Sequence, residues 1–480
     1  MTLLLDSQSP LPAAKPVPRH KGHWLWGGTF DFQRNPAEFV LEAHEEYGDV
    51  FVTRVLTGQS FFVRDPAVVN AINVTHAKHI HKPKVVKQMW KPFLGEGLVP
   101  NDGESWKRQH KLIMPGFHKM RVDAYAPTMA AYTRDMICGW NNGEQRDFRK
   151  EILALALRIV AKTLFDTDLA QDSETVHEAM QDIGEALIDH AQTPIPTPRW
   201  WPSARNKRMV RALDAMDGVI ERLVSARRKD RKDRGDLMSH IVFATDEKGS
   251  MSNKQMRDEL MTLIFAGHET TAHTLTWAWY LLGTNRDKLK KAQHEIDETI
   301  GDRPIGVDDL GKLPYLEMCL KESLRRLPAV WIYAREAQRD LRLGDYFFPK
   351  GAILAVSPLA TGRNPKYFDQ PLEYRPERWT REFERRLPKG AFVPFAAGPR
   401  VCLGKQFAMM EMRIVLGTLI QNVDINVLEG FEPDFVAELS LNPGERGMPM
   451  QVRVRPGAPV RAGKTGKSSR PPARPSTHGA

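Results

Sequence analysis

Phe392 to Arg413 reads FVPFAAGPRVCLGKQFAMMEMR, and this stretch holds Cys402, one of three cysteines in 480 residues. A turn-forming run, Ala396-Ala397-Gly398-Pro399, precedes it, and Leu403, Phe407, Met410 and Ile414 then recur at helical spacing. Val415, Leu416, Leu419 and Ile420 extend the apolar pattern, so a long amphipathic helix is predicted with Cys402 at its N-terminus. Free backbone N–H groups and the helix dipole favour a thiolate there. Gly398 and Gly404 permit left-handed angles or a close approach to a flat ligand. Arg400 supplies a permanent cation suited to a carboxylate.

Taken alone, the cysteine also reads as a small buried hydrophobe beside a helix cap. The longer pattern adds to this. Phe395, Gly398, Arg400, Cys402, Gly404, Phe407 and Ala408 resemble, at fixed spacing, the haem-binding loop of the cytochromes P450. The resemblance spans roughly residues 25 to 455. It implies a mainly α fold with small β-sheets, in which haem b (iron protoporphyrin IX) lies between a distal helix and the cysteine-loop helix. It also implies that Cys402 is the axial thiolate, that Arg400 pairs with a haem propionate, and that Phe395 shields the sulfur. A thiolate ligand pushes electron density onto iron and favours O–O cleavage.

Length alone suggests two or three domains, but no interior stretch has linker composition. The expected division is an N-terminal extension over 1–22, one haem domain over 23–455 and a basic disordered tail over 456–480. The net charge is +10, yet Arg453, Arg455, Arg461, Lys464, Lys467, Arg470 and Arg474 lie in the last 30 residues without an acid; subtracting those seven leaves +3. Basicity confined to a Pro/Gly/Ser-rich tail argues against a nucleic-acid surface. Cys138, Cys319 and Cys402 are too few and too scattered for a disulfide framework or a zinc site. The N-terminus has three consecutive leucines before Asp6, far short of the roughly 20 apolar residues of a membrane span. A soluble, cytoplasmic, bacterial-type monomer is expected.

Residues 36–48 have a helical pattern, followed by two strands around Thr57-Gly58. Residues 81–100 read as an irregular segment carrying Val86, Met89, Phe93 and Leu98, and the resemblance places it at the substrate pocket. Trp106 and His110 stand at i and i+4 on one helical face. Family members use a Trp and a basic residue here to hold the propionates, with Arg more usual than His. Lys107, Arg108 and Lys111, with Lys405, suggest either a solvated face or a basic dock for an acidic electron-transfer protein. Helical patterns follow at Tyr125–Trp140, Glu151–Phe165, Glu174–Ala191 and Arg205–Arg228. Trp200 and Trp201, in the Pro-rich joint, are expected to pack in the core or at an interface.

Residues 252–284 form the longest helical pattern, with a polar patch, Gly267-His268-Glu269-Thr270-Thr271, in an apolar middle. Burying such groups is costly unless they are hydrogen-bonded, and Thr can bond back one turn and bend the helix. Ala266 to Thr271 resembles the family's distal-helix motif, 132 residues upstream of Cys402 measured from Thr270. The match implies that Thr270 hydrogen-bonds dioxygen or water at the reaction centre, that Glu269 relays protons, and that Ala266 and Gly267 make room for the ring. Phe265 would border the pocket, and His268, on another face, is read as a satisfied helix histidine. Glu322 and Arg325 (ExxR) with Arg378 resemble the family's cluster that braces the cysteine loop, a structural role. Arg335 matches a propionate-binding arginine, and Val330 and Trp331 would border the pocket. DYFFPKGAILAVSP reads as a hairpin turning at Lys350-Gly351.

The function implied is a haem-thiolate monooxygenase that inserts one atom of O2 into a small hydrophobic substrate, fatty-acyl or terpenoid-like. Electrons would come from a separate ferredoxin- or flavodoxin-type protein and its reductase. Two alternatives remain. A peroxide-using haem-thiolate enzyme would not need both Glu269 and Thr270. A non-catalytic haem sensor would not need an apolar pocket together with a proton relay.

Overall fold

The computed structural model describes residues 14–55, 58–166, 173–192, 201, 203–247 and 249–456. Its centre is a 32-residue helix, Asn253–Thr284. Ser252 and Gln255 form a capping box at its start, each side chain bonding the other residue's backbone N–H. Thr270 Oγ1 donates to the Ala266 carbonyl (2.8 Å) and Thr274 Oγ1 to the Thr270 carbonyl (2.8 Å). The Thr270 hydroxyl in the polar notch is thereby satisfied, and the helix continues unbroken through it. Helices Phe148–Phe165, Pro314–Arg326 and Lys405–Asn422 pack against this helix. Trp277, Trp279, Leu282 and Ile420 lie fully inside, and each Leu or Ile so buried contributes about 1.5–3 kcal/mol relative to exposure.

A five-stranded sheet stands beside the helices in the order Val50–Val55, Gly58–Val63, Ile353–Val356, Tyr333–Ala337, Ile80–His81. The first two strands pair antiparallel from Val50↔Val63 to Val55↔Gly58. Arg335 is opposite Leu354 in the register of the central strands. Residues 18–20, within the expected extension, run along this sheet: His20 N–H donates to the Val52 carbonyl and Val52 N–H to the Pro18 carbonyl. Lys15 N–H reaches the Asp345 carbonyl in the separate pair of strands Leu341–Leu343 and Tyr346–Phe348.

The helices expected after residue 120 appear as Ala126–Cys138, Phe148–Phe165, Ser173–Gln192 and Ala204–Asp230. Three expectations are corrected. The segment read as irregular is a helix, Lys84–Leu94. Pro83 sits at its N-cap, where an N–H is not needed, whereas Pro92 lies inside the helix near its end and leaves the Gln88 carbonyl without its intrahelical donor. The turn at Lys350-Gly351 does not close a hairpin. Tyr346–Phe348 pairs back with Leu341–Leu343, while Ile353–Val356 crosses into the main sheet. Trp201 is exposed rather than packed; Trp200 and the tail after residue 456 lie outside the described residues.

Candidate functional site

The cysteine loop is held in shape by its own backbone. Cys402 N–H donates to the Phe395 carbonyl (2.9 Å), closing a ring over Ala396–Val401. Gly398 has φ +65°, and a Cβ there would lie 2.0 Å from the Asn73 carbonyl oxygen, so only glycine lets the loop seat on residues 73–74. Ala396, with φ +55°, takes the left-handed region without that freedom. The helix begins at Lys405 with Gly404 as its N-cap, so Cys402 stands just outside the helix. Burial pushes the Cys402 thiol up, opposed by the Gly404 N–H and the Lys405 charge. Burial thus opposes the thiolate that the helix end and Lys405 favour.

Cys402 is exposed by accessible area, yet protein surrounds it on nearly every side. The surface it presents is therefore a wall of an internal space. Arg335 and Glu269 share this character, partly accessible but enclosed.

Around Arg400, two residues before Cys402, cations outnumber acids. Lys82, Lys87, Arg335 and Arg400 lie within electrostatic reach of one another, with Asp102 the acid among them. Burial, and then the neighbouring arginines, hold Lys82 well below the usual lysine range. Its Nζ donates to the Leu98 and Val99 carbonyls. Arg400 bonds the Asp102 carboxylate and the Asn101 carbonyl, and its guanidinium lies 3.6 Å from the centre of the Trp106 ring. His110 lies tilted against the Trp106 ring, with centroids 4.9 Å apart. Burial and the Arg400 charge lower the His110 pKa. Trp106, on the Gly103–Ile113 helix, thereby contacts both a cation and an imidazole. Arg335 lies 4.8 Å over the Tyr333 ring, whose hydroxyl accepts from Asn73 Nδ2 (2.7 Å).

The Lys84–Leu94 helix rests on the long helix, with Trp90 edge-on to Phe265 at 5.6 Å. The loop after it is tied down as Glu96 N–H donates to Asp258 and Leu98 N–H to Glu259. Val86, Met89, Leu98 and Val330 are half-buried and can face a ligand. Phe93 and Trp331 cannot, and their placement at the pocket is corrected: Phe93 has no accessible surface, and the Trp331 indole donates to the Glu438 carbonyl from inside the core. Phe265 is nearly buried. Ala266 is exposed, one turn before the accessible Thr270. A Cβ on Gly267 would meet Val160 at 3.3 Å, so the room this glycine makes lies toward the Phe148–Phe165 helix.

Glu322 is fully buried and fully bonded. It accepts from Arg325 (2.7 and 2.9 Å), Arg378 (3.0 Å), Trp379 Nε1 (2.9 Å) and Arg375 N–H (2.9 Å). Burial alone would raise this carboxyl; Arg325 and then Arg378 outweigh it and hold the pKa low. Arg325 in turn caps the carbonyls of Gly362, Pro371 and Glu373. Trp379 packs on Phe392 at 4.5 Å, which carries this rigid knot to the start of the cysteine loop. The proposed basic dock is thinner than the sequence suggests. Arg108 is bound by Asp246 (2.7 Å) and Lys107 by Glu104 (2.6 Å), leaving Lys111 and Lys405 exposed.

A mainly helical protein with a small mixed sheet, an enclosed accessible thiol and a cationic rim is the class these features define. The profile described as Cytochrome P450 matches residues 16–447, and the chain belongs to that family. It is a P450 monooxygenase, an oxidoreductase that incorporates molecular oxygen. It is 31% identical over 420 residues to cyclooctatin synthase of Streptomyces melanosporofaciens, covering 85% of this chain and 91% of that one. Cyclooctat-9-en-7-ol 5-monooxygenase of the same organism is 29% identical, with 82% and 86% covered. Human cytochrome P450 4V2 is 30% identical, with 80% and 78% covered.

The family's cofactor is a haem iron, and the residues present fit it. The thiol faces an enclosed space, Ala266 presents little bulk to its surroundings, and the cationic rim suits the two carboxylates of a porphyrin. Sequence reasoning missed Lys82 and Asp102. Neither belongs to a recognisable motif, and Lys82 is one of several basic residues between Lys78 and Lys91. No described helix is long and apolar enough to cross a membrane.

Proposed function

We propose that this chain holds haem b through Cys402 and inserts one atom of O2 into a hydrophobic, terpenoid-like or fatty-acyl substrate. The observation that carries the reading is the enclosed yet accessible Cys402 thiol, two residues from Arg400 in a cluster where Lys82, Lys87, Arg335 and Arg400 outnumber Asp102. Haem iron, when bound, supplies the reductive activation of dioxygen. The chain's own residues do the rest. The Phe395 carbonyl and Gly398 fix the sulfur's direction. Lys82, Arg335, Trp106, His110 and Arg400 anchor carboxylates at the rim. Arg400 is already engaged by Asp102, so it serves as much to hold the 101–102 loop as to bind a propionate.

Thr270 and Glu269 are assigned to proton delivery. The Thr270 hydroxyl gives its proton to the Ala266 carbonyl, which leaves its oxygen lone pairs as acceptors. Burial raises the Glu269 pKa, partly offset by Ser440 and Arg149, so this carboxyl can hold a proton nearer neutral pH than an ordinary glutamate. Apolar neighbours such as Met89, Leu98 and Val330 keep water from the substrate.

Two relatives name substrates that support the hydrophobic assignment, an alkenol and pentalenene. Electrons come from a separate ferredoxin- or flavodoxin-type protein, for which Lys111 and Lys405 are the exposed basic contacts. The protein acts in the cytoplasm as a monomer, with residues 456–480 as an appended tail. Carbon monoxide added to the reduced protein tests the reading. A far-red Soret band is expected, and its persistence in Cys402→Ser would refute thiolate ligation.

A further inference from the structure

Glu269 does not stand alone. Its Oε1 accepts from Ser440 Oγ (2.9 Å), Ser440 Oγ lies 2.9 Å from His273 Nδ1, and Arg149 Nε donates to His273 Nε2 over a long 3.5 Å. The directions of these bonds follow from proton count. Ser440 has one hydroxyl proton and gives it to a carboxylate, so it must accept from His273 Nδ1–H. That leaves the Nε2 lone pair for Arg149, which can only donate. Three donors therefore point the same way, toward Glu269. His273 is neutral as this requires, because burial, and then Arg149 and His268, hold its pKa well below the ordinary value.

The frame of this chain is rigid. Leu441 N–H donates to the Ala329 carbonyl, Trp277 Nε1 to the Leu441 carbonyl (2.8 Å), and Arg149 Nη1 to the Gly444 carbonyl (2.7 Å). Ser440 itself has 2% exposure and His273 1%. The Glu269 side chain keeps 25%, so with Oε1 pinned inward its remaining surface faces open space. Charged and titratable groups around it are Arg149 from the Phe148–Phe165 helix, Glu438 from the C-terminal segment, and His268 and His273 from its own helix.

We propose that Ser440, His273 and Arg149 are positioning residues for proton delivery: they pin Oε1 of Glu269 and leave Oε2 to take up and release the proton. In that step Oε2 gains a proton from solvent and passes it on toward Thr270, with no change in electron count. The inference rests on the assignment of Glu269 above and deepens it.

The test uses full-length, haem-loaded protein with its reductase system, verified by the carbon monoxide spectrum. Ser440→Ala should lower the coupled product yield about tenfold, a fraction of what general acid catalysis commonly supplies. Peroxide release and the solvent deuterium isotope effect should rise. Turnover driven by added hydrogen peroxide, which brings its own protons, should be unaffected. Ser440→Thr, which keeps the hydroxyl, should restore coupling. If Ser440→Ala fails to fold, His273→Leu should uncouple and His273→Asn, which keeps a donor where Nδ1 stands, should not. Wild-type coupling and isotope effect in Ser440→Ala or His273→Leu, with Glu269→Gln uncoupled, overturn this inference alone. Wild-type behaviour in Glu269→Gln overturns the underlying assignment as well.

Discussion

Thr270 and Ala266 show how one hydroxyl serves two ends. The bond back to the Ala266 carbonyl fixes the Thr270 rotamer and directs its lone pairs away from that bond. Thr270→Ala removes nothing from the core, so the haem spectrum should persist. NAD(P)H should still be consumed, while peroxide rises and product falls. Unaltered coupling would remove Thr270 from the mechanism. At Gly398 the argument is steric. Gly398→Ala combines a left-handed φ with a Cβ inside the Asn73 carbonyl, and it should cost on the order of 1–3 kcal/mol and lower haem occupancy, read by denaturant titration and the haem-to-protein absorbance ratio.

Among the elements, the long helix and the Pro314–Arg326 helix carry the clearest consequences. The capping box at Ser252 closes the start of the helix that carries Glu269 and Thr270. Ser252→Ala should destabilise the fold by about 1 kcal/mol in urea titration and leave the absorption spectrum unmoved. Glu322→Ala is harsher. It strands Arg325, Arg378 and the Trp379 indole in the interior, a loss of roughly 3–5 kcal/mol. The Trp379–Phe392 contact passes the disturbance to the cysteine loop, so carbon monoxide spectra should show lost or inactive haem protein.

These elements also show what a sequence can disclose. The long helix was legible from its apolar period and its polar interruption, and Glu322 and Arg325 from their spacing within one turn. The Lys84–Leu94 helix was not, because Pro83, Pro92, Gly95 and Gly97 read as breakers while two of them occupy positions a helix tolerates. The hairpin at Lys350 failed for another reason. Partner choice between strands is set by the whole sheet, and Ile353–Val356 finds two better partners than its predecessor. Ser440 was invisible for the same cause: nothing local marks a serine 171 positions from the carboxylate it meets.

For the whole molecule, acid sensitivity follows from groups that fold fixes in one state. Burial, and then the Arg64 charge, push His44 from its ordinary 6.5 to about 3, outweighing its bond to the Gly48 carbonyl. Its folded pKa lies below the unfolded one, so the unfolded chain binds more protons between those values. Stability is therefore full above pH 6.5 and declines as the pH falls toward 3. Asp309 adds to this lower down. The Arg303 hydrogen bonds hold it at about 2 against 3.8, and its contribution is lost as the pH falls below 3.8. Urea midpoints should drop steadily from pH 6.5 downward, and His44→Gln, which does not titrate, should flatten the upper part of that decline. An unchanged slope would exclude His44 as its source.

The seat of Gly398 on Asn73 joins chain segments that leave the ribosome far apart in time. Everything that shapes the thiol's surroundings, from the sheet built on residues 50–63 to the segment at Ser440, is complete only once residue 440 has been made. A nascent chain arrested before residue 402 would own every strand of the five-stranded sheet and every described α-helix but Lys405–Asn422, yet lack the thiol proposed to hold haem. Under the assignment of Cys402, haem can be held through sulfur only after residue 402 has been made and its loop seated on residues 73–74.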